Sequence, residues 1–202
     1  MVAVTRIIAG AARGRRLAVP KGTVTRPTSD RAREGLFATV TTIHGPLPGA
    51  RVLDLFAGSG AVGLEALSRG AARVVFVESD ARAVRVVRAN MAAVGLPGGE
   101  LVCDKVQRFL DRGPGADAAF DLVVADPPYA VPPVEVTGML TALAREGWLA
   151  PGALVAVERA TRADSFSWPA TYRADRSRRY GEATVWYGLA AAEASSGKGV
   201  TA

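Results

Sequence analysis

Asp54-Leu55-Phe56-Ala57-Gly58-Ser59-Gly60-Ala61-Val62-Gly63 follows the apolar run that begins at Arg51 and leads into a helix-compatible stretch, Gly60 to Arg69, ending at Gly70. A buried strand that passes through a glycine-rich turn into a helix is the opening unit of a doubly wound α/β sheet. Gly58, Gly60 and Gly63 fit the spacing G-x-G-x-x-G, in which glycines permit a tight turn and close approach of a ligand to the backbone. That spacing alone admits a dinucleotide, whose pyrophosphate would sit at the helix N-terminus. Asp54 argues otherwise. A carboxylate at the strand end repels a pyrophosphate and suits a cationic amino group, such as that of a methionine moiety. Glu78, at the end of the next apolar run, is placed to hydrogen-bond a ribose diol under either reading.

Outward from this loop the chain alternates. Strands are predicted at Arg73 to Val77, Glu100 to Cys103, Phe120 to Ala125 and Ala153 to Val157. Between them lie helices from Asp80 to Val94, near Val106 to Leu110, and from Val134 to Arg145. Such alternation predicts a mostly parallel sheet with helices on both faces. Tyr172 to Tyr180 and Ala183 to Leu189, separated by Gly181-Glu182, predict a terminal hairpin with at least one antiparallel strand. Upstream, Arg6 to Gly10 and Arg16 to Pro20 predict a small hairpin, and Thr28-Ser29-Asp30 caps a helix to about Ile43. The division expected is a basic N-terminal extension over 1–45, a catalytic domain over 46–189 and a disordered tail over 190–202, with the linker Gly45-Pro46-Leu47-Pro48-Gly49 as the boundary.

Asp126-Pro127-Pro128-Tyr129 follows a predicted strand and so falls at the same sheet edge as the glycine loop. These residue types suit methylation of an exocyclic amine on a base, a poor nucleophile because its lone pair is delocalised into the ring. Asp126 can accept a hydrogen bond from the amine and stabilise developing positive charge. The prolines fix the backbone and present carbonyl oxygens with fewer competing N–H donors. Tyr129 offers an aromatic face to an extruded base.

Charge and composition narrow the class. Residues 1–33 hold eight basic side chains and one acid, a net +7, whereas 34–202 hold 17 basic and 18 acidic ones. A basic arm on a near-neutral body predicts a phosphate-binding surface, with Arg6, Arg13, Arg15, Arg16, Arg26 and Arg31 as its RNA contacts. One cysteine, Cys103, and one histidine, His44, leave no disulfide, no cysteine zinc site and no histidine-clustered metal. The first twenty residues are interrupted by arginines and lack the apolar core of a signal peptide, and no apolar run is long enough to span a bilayer, so a cytoplasmic protein is expected.

The order Asp-x-Phe-x-Gly-x-Gly resembles the first motif of class I methyltransferases, which use S-adenosylmethionine. The whole chain, about residues 5–189, resembles the RsmD family. The likeness is carried by Arg6 to Gly10, Gly14 to Leu17, Arg26 to Glu34, Asp54 to Arg69, Asp126 to Tyr129 and Gly147-Trp148-Leu149. It implies a Rossmann-like class I fold and methylation of the N2 amine of a guanine in 16S ribosomal RNA. A chain of 202 residues is small for reading a unique RNA site unaided, so a partly assembled small subunit is expected beside free RNA as substrate, and a monomer is expected. The resemblance also implies a cofactor site made of Asp54, Phe56, Gly58, Ser59, Gly60, Glu78, Asp104 and Thr28. Asp104 would meet the adenine, and the segment carrying Thr28 would cover the methionine end. The chain departs from the family at Gly35, where a small polar residue is usual, at Ala9, and in the spacing after Asp104.

Three other readings compete. DNA adenine-N6 and cytosine-N4 methyltransferases share the Asp/Asn-Pro-Pro-Tyr type of motif, but they usually carry a larger target-recognition region. An inactive ribosome-assembly module would have no use for Asp126 beside Gly58-Ser59-Gly60. An NAD-dependent oxidoreductase gives Asp126-Pro127-Pro128-Tyr129 no role.

Overall fold

The computed structural model describes residues 4–20, 30–115, 119–162 and 166–191. A two-stranded antiparallel ribbon of β1 (Val4–Arg6) and β2 (Arg16–Ala18) precedes α1 (Asp30–Ile43). The main sheet then forms from β3 (Arg51–Leu55), β4 (Arg73–Glu78), β5 (Gly99–Cys103), β6 (Phe120–Ala125), β7 (Leu149–Ala160), β8 (Tyr172–Tyr180) and β9 (Ala183–Ala190). Its order is β5-β4-β3-β6-β7-β9-β8. The strands from β5 to β7 are parallel, and β9 lies antiparallel to both β7 and β8. The helices α2 (Ala61–Ser68), α3 (Ala81–Val94), α4 (Val106–Leu110) and α5 (Pro133–Arg145) are the crossovers. No helix among the described residues is long and apolar enough to cross a membrane.

The central strands are apolar on both faces because both faces are covered. Val52, Val74, Leu122 and Leu154 face one core, while Leu53, Val75, Val123 and Val155 face the other. Trp148 closes the second core. It packs against Phe109 and Phe120 at centroid distances of 4.6 and 6.1 Å, and its indole N–H donates to the Leu110 carbonyl at 3.0 Å. Helix ends follow local chemistry. Asp80 accepts hydrogen bonds from the amides of Arg82 and Ala83 at 2.8 Å, and Gly95, in the left-handed region, stops α3 as expected.

The N-terminal extension has no core of its own. Ile7, Ala12, Leu17, Leu36, Phe37 and Val40 join the first core of the sheet. Polar clamps hold it there. The buried Glu65 carboxylate accepts the Ile8 and Ala9 amides at 2.7 and 3.0 Å. Ser68 Oγ accepts the Ala12 amide, and Asn90 makes paired hydrogen bonds with the backbone of Ala18.

This differs from the expected strand over Arg6 to Gly10. The ladder gives out after Ile7, whose amide still donates to the Arg15 carbonyl, because Glu65 takes the amides of Ile8 and Ala9. The terminal hairpin and four of the five crossover strands lie within about a residue of their predicted bounds; β7 runs longer at both ends than the predicted Ala153 to Val157. Ala190 and Ala191 are ordered, the latter donating its amide to the Thr171 carbonyl at 2.8 Å, so the predicted tail does not begin at Ala190. Residues 192–202 of that tail, and the predicted cap at Thr28-Ser29, lie outside the described residues.

Candidate active site

The sheet reverses its winding between β3 and β6. From β3 the chain adds β4 and β5 on one side, then returns to place β6 and β7 on the other. Crossovers leave in opposite directions at that point and open a crevice at the carboxyl ends of the two strands. Leu55 and Ala125 are register partners there, so the residues after them emerge side by side. This is how the glycine loop and Asp126, some seventy positions apart, reach one cleft.

The cleft has a volume of about 730 Å³, within the range of small-molecule sites. Asp54, Phe56, Gly58, Ser59, Glu78, Asp126, Pro127 and Pro128 all line it. Gly60 instead caps α2 at φ 75°, a left-handed conformation that suits glycine. Gly63 packs α2 on the sheet, since a Cβ there would lie 2.2 Å from Phe76 Cε1. Phe56 has φ 62°, the one positive value among the described non-glycine residues. Strain of that kind persists only where its surroundings enforce it.

Two carboxylates organise the loop. Asp54 is almost fully buried and accepts the Gly63 amide at 2.9 Å, so it caps α2 from the neighbouring strand. Burial pushes its pKa up to about 7, the Gly63 hydrogen bond opposes this, and the charges of Asp126 and Glu78 add to the rise. Glu78 accepts the Gly58 amide at 2.8 Å through one oxygen, and the Ser79 and Asp80 amides at 2.7 and 2.8 Å through the other.

Asp126 is half-buried, and its amide donates to the Leu55 carbonyl at 3.3 Å. The turn after it is closed by Val131, whose amide donates to the Pro128 carbonyl at 2.8 Å. Tyr129 is 50% exposed at the rim rather than in the cleft lining. Partial burial and the charges of Glu158, Asp126 and Glu182 raise its pKa.

The structure does not bring every predicted residue to the cleft. Asp104 is buried beside it, but its carboxylate pairs with Arg108 at 2.6 Å and Arg112 at 3.0 Å. Burial pulls its pKa up, and the hydrogen bonds from Arg108 and Lys105 outweigh that and hold it below the usual carboxylate range. Lys105, Val106 and Gln107 line the cleft, and Asp104 does not. Thr28 and Arg26 lie outside the described residues.

Among the predicted RNA contacts, Arg6, Arg13, Arg15, Arg16 and Arg31 are all exposed. Arg15 has a second commitment, because its guanidinium donates to the Ala93 and Val94 carbonyls at 2.8 and 2.9 Å and caps the C-terminus of α3. Arg6 stands 3.4 Å from Asp30. Arg33, counted in the basic arm, is fully buried against Asp30 and Glu65 and belongs to the core.

Sequence reasoning missed Asn90 and Arg159. Asn90 donates to the Ser59 carbonyl at 2.8 Å and so steadies the glycine loop from α3. Arg159, buried on β7, donates to the Val131 carbonyl at 2.9 Å and braces the turn that follows Asp126. An asparagine on the inner face of an otherwise apolar helix stripe was the one available signal. Arg159, in a polar strand end, gave none.

The family described as Conserved hypothetical protein 95 matches residues 5–188. Ribosomal RNA small subunit methyltransferase D of Escherichia coli strain K12 is 39% identical over 153 residues, covering 76% of this chain and 73% of that protein. Its namesake from Haemophilus influenzae is 37% identical over 156 residues, covering 76% of this chain and 77% of the relative. The solved structure of yhhF from Escherichia coli superposes with a TM-score of 0.79 at 33% identity, over 95% of this chain and all of that one. SMU.776, solved in complex with SAH, shares the fold at a TM-score of 0.60 and 17% identity, over 76% of this chain and 48% of that one.

Proposed function

We propose, since this chain belongs to the Conserved hypothetical protein 95 family, the RsmD family of the sequence reading, that it is an S-adenosylmethionine-dependent ribosomal RNA methyltransferase. More finely, it methylates the exocyclic N2 amine of a guanine in 16S ribosomal RNA. The observation that carries this reading is the meeting of Asp54, Glu78 and Asp126-Pro127 in one cleft at the β3–β6 switch.

The donor set fits the cofactor. Asp54 suits its ammonium, and Glu78, already fixed by three amides, suits a ribose diol. Lys105 to Gln107 border the region expected to take the adenine. When bound, S-adenosylmethionine supplies a methyl group on a sulfonium carbon–sulfur bond. Asp126 then holds one amine hydrogen of the base and accepts the proton released as the nitrogen–carbon bond forms. The Pro128 carbonyl serves the turn, so we assign the second amine hydrogen to the Pro127 carbonyl. Tyr129, exposed at the rim, offers the stacking face for the extruded base. Much of the acceleration comes from fixing the two reactants in line.

In this reading residues 1–45 contact RNA and cover the cofactor, 46–189 catalyse, and the protein acts as a cytoplasmic monomer on RNA or a partly assembled small subunit. Val19 and Pro20 line the cleft, which supports a covering role for the extension.

The test incubates the protein with methyl-tritiated cofactor and, in parallel, deproteinised 16S RNA, DNA and small-subunit particles, followed by nucleoside analysis. N2-methylguanosine is the expected product. Asp126→Ala should lower turnover by at least about a hundredfold, the scale of losing one transition-state partner, with SAH affinity retained. Methylated adenine or cytosine in DNA, or full activity of Asp126→Ala, would overturn the reading.

A further inference from the structure

Averaged over residues 34–202 the chain carries slightly more acid than base, and that average hides a concentration. The nine residues of β8 include Arg173, Arg176, Arg178 and Arg179, with Asp175 as the one acid. The strand is the outer edge of the sheet, and all four arginines are exposed.

Register sorts these side chains by face, because directly opposed residues of an antiparallel pair share one. Arg173 opposes Leu189, Arg176 opposes Tyr187, Arg178 opposes Val185 and Tyr180 opposes Ala183. Tyr187, Val185 and Leu189 belong to the core beneath α1, so Arg173, Arg176, Arg178 and Tyr180 lie on the α1 side. Arg173 and Arg176 are three positions apart, which would put them on opposite faces in a regular strand. The irregularity between Ala174 and Arg176 turns both to the same side.

The stripe continues onto α1. Tyr180 packs against Gly35 so closely that a Cβ there would lie 2.4 Å from its ring. Arg31, exposed, stands one helical turn before Gly35 on the same helix face. Glu182, two residues past the end of β8, lies close enough to Tyr129 to influence its ionisation, so β8 ends its run beside the rim of the cleft. Asp175 pairs with Arg176 at 2.5 Å, while Arg173 and Arg178 have no ion pair among the described residues. Charges on an edge strand also deter edge-to-edge pairing, but that purpose is indifferent to sign and to face. Here three of the four arginines are gathered on one face by a bulge, and that face joins the arm.

We infer that the α1-side face of β8 is a second RNA-backbone surface, in which Arg173, Arg176 and Arg178 take phosphates and extend the contact that Arg31 begins. The inference rests on the RNA-methyltransferase reading above and assigns residues that the basic arm does not include. It commits to RNA because only a polyanionic strand uses a line of guanidinium groups of one sign beside a base-extruding rim.

The test compares the wild-type protein with R173Q/R176Q/R178Q and R173K/R176K/R178K on the RNA or particle that wild type methylates. For the glutamine variant, KM for RNA should rise about tenfold or more. The slope of log affinity against log salt should become shallower by about two, from roughly 0.7–0.9 per phosphate contact. SAH affinity, kcat at saturating RNA and thermal midpoint should stay near wild type. The lysine variant, which keeps the charge, should retain most of the salt slope. Unchanged KM and slope in the glutamine variant, with wild type active, would overturn this inference alone. Equal losses in both variants would overturn the electrostatic assignment. A wild-type protein that neither binds nor methylates RNA would remove the reading beneath it as well.

Discussion

The Asp54 carboxylate accepts the Gly63 amide at 2.9 Å, which makes a β3 side chain the N-terminal cap of α2. The same carboxylate is buried, and its pKa stands at about 7 rather than near 4. Folded protein therefore binds one more proton than unfolded protein between about pH 4 and 7. This contribution to stability is greatest at low pH, declines as pH rises through that window, and is flat above it. Cofactor binding runs the opposite way, because an ammonium group favours the ionised form. SAH affinity should fall as pH drops below about 7, approaching tenfold per unit, with proton release on binding near neutrality. Calorimetric titrations across pH 6–9 in buffers of different ionisation enthalpy measure both. An Asp54→Asn variant should bind weakly with that pH dependence gone, and a pH-independent wild type would refute the assignment.

Glu65 ties the extension to α2 through the Ile8 and Ala9 amides and the buried Arg33, and also pairs with Arg69 one turn along. Removing a buried charge that others depend on costs about 3–5 kcal/mol, so Glu65→Ala should unfold at markedly lower denaturant. Gly10 gives a companion test. A Cβ there would lie 1.7 Å from the Ser68 carbonyl oxygen, whereas the space around Gly14, at the same φ of 83°, is open. Gly10→Ala should detach the arm, seen as new protease cleavage before α1. Gly14→Ala should cost only the left-handed backbone term of about 1–2 kcal/mol.

Arg159 braces the Val131 carbonyl, and its Nη1 has no hydrogen-bond partner among the described residues. Arg159→Met keeps much of the buried volume and releases the turn after Asp126. We expect kcat to fall about tenfold or more with SAH affinity unchanged, and Arg159→Lys to recover part of it. Parallel losses in kcat and SAH affinity would instead point to general unfolding.

Gly35, where the family usually has a small polar residue, is explained by Tyr180. The ring fills the space a Cβ would occupy. Gly35→Ser should destabilise by about 1–3 kcal/mol, the scale of overpacking. In the Tyr180→Ala background the same change should cost much less. A double-mutant cycle by chemical denaturation reads the coupling, and strict additivity would show that the two do not compete.

Local chemistry made most elements legible. Period and caps placed α3 between Asp80 and Gly95, and unbroken apolar runs placed β3 and β6. The pairing of a glycine loop with Asp126-Pro127-Pro128-Tyr129 was also readable, because both follow strands and strand ends share an edge. The arm departs from a strand after Ile7, since the Ile8 and Ala9 amides are taken by Glu65, more than fifty positions away. The ion pairs that Asp104 makes with Arg108 and Arg112 were not legible, because they depend on how the chain turns after β5.

By itself, then, the sequence determined the α/β alternation, the loop and the motif, because each is a matter of neighbours in the chain. Only tertiary structure decided that Leu55 and Ala125 stand side by side, that Asp54 is buried enough to shift its proton, and that Arg173, Arg176 and Arg178 share a face. Those depend on strand order, desolvation and one bulge, quantities set by how distant segments pack.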